Sequence, residues 1–224
     1  IGLRRGAQGI VPTGDYVSET LDAGDGGFWS SIDWGEPDPT PNGTKDLEAL
    51  WAMNEAWTPT VGAAIGSPSG GATFGTHPKF GSGCGIFDGV DDYVSFAHAG
   101  EVRDVELWFN HKGGDGGLLA LVETNGVAIP IMITGNRLDL PPEQSKGAQF
   151  IVNGHRNKEQ LKPGWNHAVI SLPAKVDVNE VRLGRADGLF FRGLADDLAL
   201  YSRRLLLAEA NAHYIDGVPF AAGN

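Results

Sequence analysis

Glu101, Asp104 and Glu106 bring three carboxylates within six residues, and paired carboxylates are what glycoside hydrolysis requires. A retaining pair stands about 5 to 5.5 Å apart on one surface. The separation of three between Glu101 and Asp104 sends them to opposite faces of a regular strand, and only a bulge would bring them back together. His167 has the chemistry of a general base, yet no serine or cysteine lies in a nucleophile motif, so a packed imidazole is expected. Cys84, flanked by glycines, reads as a small buried thiol. Oxygen-rich metal chemistry has more to work with. Asp88, Asp91, Asp92, Asp196 and Asp197 offer hard ligands of the kind calcium takes six to eight at a time, although none forms an EF-hand loop. The competing role for Asp88 and Asp91 is to hold turns through backbone hydrogen bonds, and for Asp196 to anchor a strand.

The elements that must position these groups are short. Thirty-three glycines and thirteen prolines in 224 residues, with few long helix-forming runs, predict many turns between strands. A 41% hydrophobic content suffices for one good core plus an appendage. The net charge of −11 repels phosphate backbones and anionic membranes, so nucleic acid is not an expected partner. No apolar run approaches the roughly 18 residues of a membrane span, and the first residues, from Ile1, lack a basic-then-apolar leader. A soluble chain without membrane insertion is expected. The single cysteine cannot form an internal disulfide and does not identify a compartment.

Residues 1–45 carry no persistent period of 2 or 3.6 and read as an extended arm. Arg4 and Arg5 sit near its tip, and seven acidic residues from Asp15 to Asp38 follow before the next base, Lys45. Phe28, Trp29 and Trp34 interrupt the polar stretch, and each such ring buries roughly 150 to 250 Å² when it finds a surface. That surface is either the arm's own domain or a neighbouring subunit. Asn42-Gly43-Thr44 is a glycosylation sequon wherever the host glycosylates.

Downstream, Val105, Leu107 and Phe109 alternate with Glu106, Trp108 and Asn110, the period of a strand with two unlike faces. Leu118 to Val122 and Val127 to Ile133 flank Asn125-Gly126, which predicts a hairpin with a two-residue type I′ loop, setting Val122 opposite Ile129 and Ala120 opposite Ile131. Pro130 marks an edge or a bulge. Residues 149–152, 165–172 and 179–183 supply further strands. Leu207, Ala210 and Tyr214 fit one face of a short helix, with Glu209 and Asn211 outward.

Read in order, Phe87-Asp88-Gly89-Val90-Asp91-Asp92-Tyr93-Val94-Ser95-Phe96 resembles the opening signature of laminin-G-like, concanavalin A-like sandwich domains. The run Leu47 to Glu55 resembles the family's first strand, Gly75 to Gly85 its glycine-rich approach, Trp165-Asn166-His167-Ala168-Val169 its tryptophan-and-histidine strand, and Phe191 to Leu205 its closing strand. The resemblance covers about residues 46–217. It implies an all-β fold, an antiparallel two-sheet jelly-roll sandwich with the extended N-terminal arm before it, a short C-terminal helix, and a tail at 218–224. It also implies binding of glycans, proteins or calcium outside the cell, with calcium held by Asp88, Asp91, Asp92 or Asp196 at corners and the closing strand. Within that pattern Glu106 falls where the family has a polar residue without chemistry, which argues against a hydrolase.

Sugar recognition requires exposed aromatic faces beside convergent polar groups. Phe190 adjoins Phe191, and since neighbours on a strand point to opposite faces, only Phe191 fills the buried family position. Trp108, on the face shared with Glu106, and Trp57, in a proline-bounded loop, are further candidates. Three readings follow. The favoured one is a non-enzymatic surface subunit of an extracellular assembly, such as a virion decoration or tail protein, fibre or appendage, with glycan-binding capacity, whose arm docks on neighbours through Arg4, Arg5, Phe28, Trp29 and Trp34. The others are a free carbohydrate-binding adhesin or enzyme-appended module, and a polysaccharide hydrolase or lyase.

Overall fold

The computed structural model describes residues 46–156 and 159–217. In chain order the elements are β1 (Leu47–Trp51), β2 (Gly66–Ser69), β3 (Thr73–Gly75), β4 (Cys84–Asp88), β5 (Tyr93–His111), β6 (Gly116–Glu123), β7 (Ala128–Thr134), β8 (Arg137–Asp139), α1 (Pro142–Ser145), β9 (Gln149–Val152), β10 (His155–Arg156), β11 (Trp165–Leu183), β12 (Arg185–Ala186), β13 (Leu189–Phe190), β14 (Arg192–Tyr201) and α2 (Leu207–Asp216). The fold is all-β and antiparallel with a short C-terminal helix, as expected. The expected arm (1–45), including its docking residues, and the tail lie outside the described residues. Among the described residues no helix is long and apolar enough to cross a membrane.

Two long strands make the sandwich. β5 and β11 each run 19 residues, which at about 3.3 Å per residue would span about 60 Å if straight, wider than a domain of this size. They bend instead, and their pairing breaks register between Ser171 and Val176. The first part of β5 pairs with β2 and with the second part of β11, which continues into β6, β7 and β8. The second part of β5 pairs with β14 and with the first part of β11, which continues into β9. One hydrogen-bonded ladder thereby folds over itself into two layers. Val94, Phe96, Leu121 and Val181 of one layer share a single core with Leu107, Phe109, Ile170 and Leu198 of the other.

All eight side chains expected inward are buried, and seven of them (Val105, Leu107, Phe109, Ile129, Ile131, Leu198 and Leu200) line the main core, while Val122 lies outside it. The β6–β7 register is one residue away from the predicted one: Leu119 faces Ile131 and Leu121 faces Ile129, while Val122 faces Ala128 and Ala120 faces Pro130. The cause is the loop. Among its residues only Gly126 has positive φ, at 85°, and Gly126 N–H donates to Glu123 O at 2.9 Å while Glu123 N–H donates to Val127 O at 2.8 Å. That is a three-residue loop ending in a left-handed glycine rather than a two-residue type I′ turn, and the added residue shifts every pair.

The face of β5 away from the main core is not a solvent face. Glu106 and Trp108 are as buried as Leu107, and Asp197 is buried too. Helix α2 closes over this face on a second apolar cluster containing Leu50, Val169, Ala199, Tyr201 and Ala210. Glu209 does not point outward as the helical spacing suggested. It turns back to pair with Arg203 at 2.6 Å and to accept the Leu206 N–H at 2.8 Å, capping the helix.

Candidate functional site

Two polar constellations result, one buried and one exposed. The buried one lies between β5, β11, β14 and α2. Glu106 accepts hydrogen bonds from His167 Nε2 at 2.7 Å, from His213 Nδ1 at 3.0 Å and from the Tyr201 hydroxyl at 3.0 Å. Burial alone would raise its pKa, but the imidazole hydrogen bonds outweigh burial and lower it to about 2. Burial and the Glu106 charge push the Tyr201 phenol up. Asp104, two residues earlier, accepts from Ser171 Oγ at 2.9 Å and Leu205 N–H at 2.8 Å, and burial raises it to about 6.

Beside them, β14 carries a bulge. Asp196 faces Trp108 and Ala199 faces Glu106, so Asp197 and Leu198 together oppose the single Leu107. The extra residue lets Leu198 and Leu200 point inward while Asp196 and Tyr201 both face α2's side. Asp196 Oδ2 accepts the N–H groups of Lys79 and Phe80 at 2.8 and 3.1 Å, and its Oδ1 accepts that of Asp197. Asp197 is raised by burial and by the charges of Asp196 and Glu106. Burial raises Asp196 too, with its hydrogen bonds from the Phe80, Lys79 and Asp197 N–H groups opposing it. These carboxylates pin a helix and a loop to the sheet. Of the suspected hydrolase trio, Glu101 lies exposed and pairs with Lys175 at 2.9 Å, while Asp104 and Glu106 have no open approach.

Cys84 is buried, and burial with the Asp196 charge holds its thiol above the usual range.

The exposed constellation is a corner built from the β4–β5 turn and the β12–β13 hairpin. Asp88 N–H donates to Asp92 Oδ2 at 2.8 Å and Val90 N–H to Asp88 Oδ1 at 2.7 Å, the turn-holding role foreseen for these residues. The turn still gathers Asp88, Asp91 and Asp92 so that one oxygen of each lies within 4.8 Å of the others. Burial raises the Asp92 pKa, with the Asp88 and Asp91 charges adding to it. Asp196 does not join them: it lies four residues beyond Arg192, the partner of Asp88, and is occupied by Lys79 and Phe80. The donor set suits calcium. One oxygen each of Asp88 and Asp92 and both of Asp91 are uncommitted to these turn bonds, and backbone carbonyls and water would supply the rest of six to eight.

The opposite wall of the corner comes from Asp187-Gly188, with φ of 47° and 76°, between the paired Arg185 and Phe190. This Asp-Gly dipeptide with two positive φ angles is the type I′ signal, and it marks a hairpin not among the elements expected from the sequence. The Arg185 guanidinium sits over both Tyr93 and Phe190, 5.3 and 5.4 Å from their ring centroids. Phe190 is half-buried, and Val90 and Leu189 beside it are 70% and 46% exposed. Gly184 places this hairpin against the turn, since a Cβ there would lie 2.5 Å from the Phe87 ring and 2.9 Å from Asp92 O.

The other two stacking candidates are corrected. Trp57 is buried against Phe74 and Phe87, with centroids at 4.2 and 6.2 Å, and Trp108 is buried beneath Tyr214 at 5.7 Å. Neither offers a free face: Trp57 packs into the main core, and the β5 surface carrying Trp108, which seemed open to solvent in the alternation, is covered by α2 and Phe80.

No family model matches the sequence, and no curated protein matches it. Among solved structures, the chain is similar to the botulinum neurotoxin type G receptor binding domain, at 11% identity and a TM-score of 0.49, over 76% of this chain and 51% of that one. It is also similar to the binding domain of botulinum neurotoxin DC in complex with SialylT, at 10% identity and a TM-score of 0.46, over 79% of this chain and 52% of that one. The chain spans about half the length of these structures.

Proposed function

We propose that the protein is a non-enzymatic carbohydrate-binding sandwich whose sugar site is the corner formed by Asp88, Asp91, Asp92, Tyr93, Arg185 and Phe190. The observation that carries this reading is the placement of Phe190 and Arg185 beside three gathered carboxylates, with Val90 and Leu189 exposed at the rim. An aromatic face takes the C–H face of a sugar, and the carboxylates and guanidinium exchange hydrogen bonds with its hydroxyls. Three carboxylates against one guanidinium favour a neutral sugar over an acidic one. Calcium held by Asp88, Asp91 and Asp92 would neutralise their mutual repulsion and offer further coordination to hydroxyl oxygens.

In this reading the sandwich displays the sugar site while residues 1–45 join it to an extracellular assembly such as a virion surface, fibre or appendage. Support for that second part is the sequence itself, with its arm bearing Phe28, Trp29 and Trp34. The testing experiment is a neutral-glycan array probed with the wild type and Phe190→Ala, with and without calcium. Retention of a neutral glycan that Phe190→Ala loses, at unchanged melting temperature, is the expected result. Equal retention by both proteins would overturn the assignment.

A further inference from the structure

The bend that folds the long ladder into two layers also gathers bases. Asp104 of β5 stands opposite Ser171 of β11 and Tyr201 of β14, while Val102 stands opposite Val176. Arg103 alone therefore faces four residues of β11, Leu172 to Lys175, which bulge away from it. On its other side β14 ends at Tyr201, and Ser202, Arg203 and Arg204 lead off toward α2. The result is a hollow of about 380 Å³ lined by Asp46, Arg103, Lys175, Ser202, Arg203 and Arg204. Four bases against one acid on its wall reverse, locally, the sign of a chain whose net charge is −11.

The four are not equally committed. Arg203 is fixed by Glu209 at 2.8 and 2.6 Å and by the Arg204 carbonyl at 3.2 Å. Lys175 pairs with Glu101 at 2.9 Å, but both side chains are at least half exposed, and a pair of that kind opens at little cost. Among the described residues neither Arg103 nor Arg204 has a carboxylate within ion-pair distance. Asp104 feels both guanidinium charges, yet its Oδ2 is taken by Ser171 and by the Leu205 N–H. Arg204 Nη2 donates to Leu172 O at 3.3 Å, and its Nε is a buried donor without a partner.

An unpartnered buried donor in a native fold calls for an acceptor. Two guanidinium forks brought in from different segments suit a tetrahedral oxyanion, whose three free oxygens accept in more than one plane, whereas a carboxylate fills a single fork. Asp46, the one carboxylate on the wall, is exposed. It repels a bare anion but accepts from a hydroxyl, so an ester carried on a sugar suits this wall better than the free ion.

We infer that the hollow binds a sugar phosphate or sugar sulfate, with the ester group between Arg103 and Arg204, Lys175 and Arg203 adding charge, and Asp46 accepting a sugar hydroxyl. The site does not depend on the Phe190 corner, whose carboxylates repel the same ligand.

The test is isothermal titration calorimetry on the full chain with glucose 6-phosphate, glucose 6-sulfate, glucuronate, inorganic phosphate and inorganic sulfate. One of the two esters should bind more tightly than glucuronate and than its own inorganic anion, and the tighter ester identifies phosphate or sulfate as the group. Arg103→Met/Arg204→Met should weaken that ester about 10-fold, whereas the charge-matched Arg137→Met/Arg156→Met should change it less than about twofold. A thermal melt checks each fold. Should the double variant not fold, Arg103→Gln alone, which keeps the Arg204 contact with Leu172, should weaken the ester about threefold. Asp46→Asn should remove the advantage of the ester over the inorganic anion, and Phe190→Ala should leave ester binding intact. Failure of both esters to bind, binding of glucuronate or the inorganic anion as tight as that of the better ester, or equal loss in the control would overturn the proposal.

Discussion

His213 of α2 places Nδ1 3.0 Å from both carboxylate oxygens of Glu106 on β5, joining residues 107 positions apart in one buried contact. Glu106 holds three donors at once, so the helix is fastened to the sheet by a charge that water cannot reach. Breaking a buried pair by removing one member costs more than the pair is worth, because the remaining charge is left without its partner. His213→Ala should therefore destabilise the domain by about 2 to 4 kcal/mol in urea denaturation. Glu106→Leu/His213→Leu should cost less than the sum of the two single changes. Strict additivity would show that the contact is not coupled.

Stability should depend on pH in an uncommon direction. Burial raises Asp104 from the ordinary carboxylate range to about 6, and Asp197 is raised by burial and its acidic neighbours. A carboxyl with a raised folded pKa binds more protons folded than unfolded, so its contribution falls as pH climbs from about 4 through 6. Glu106, lowered to about 2, acts the other way: its contribution is present above about 4.5 and lost as pH falls toward 2. Melting temperature should peak near pH 4 to 5 and decline toward pH 8. Asp104→Asn should flatten the upper slope. A melting temperature that rises steadily from pH 5 to 8 would contradict this assignment.

Calcium should act at one corner only. Excess calcium should raise the melting temperature of the wild type by mass action and leave Asp91→Asn nearly unmoved, whereas Asp196→Asn should keep the response. An unchanged melting temperature in the wild type, with no calcium in elemental analysis of protein prepared without chelator, would remove the metal from the proposal.

The core should be intolerant of truncation at both ends of the bent ladder. Leu107→Ala and Ile131→Ala, both fully buried, should each cost about 2 to 5 kcal/mol. Val122→Ala should cost less, because the observed register removes Val122 from the main core face.

Deletion of residues 1–45 should leave the sandwich folded and abolish assembly, measured by circular dichroism and by light scattering. A truncated chain that assembles as well as the full one would leave the surface-subunit reading without support.

Composition, alternation and motif order were enough to predict an antiparallel sandwich, because they depend on local chemistry: the period of two in Val105, Leu107 and Phe109 needs no knowledge of what covers the strand. The turn role of Asp88 was legible for the same reason. The other face of that strand was not. Glu106 and Trp108 look like solvent-facing residues until α2, about 100 positions later, folds over them, and no periodicity within β5 records that. Asn125-Gly126 and Asp187-Gly188 carry equal signals for a type I′ turn, yet only Asp187-Gly188 takes two positive φ angles. Bringing Phe190 to the acidic turn, and Arg103, Lys175 and Arg204 to one hollow, depends on strand pairing between segments far apart in sequence, and only the tertiary structure decides that.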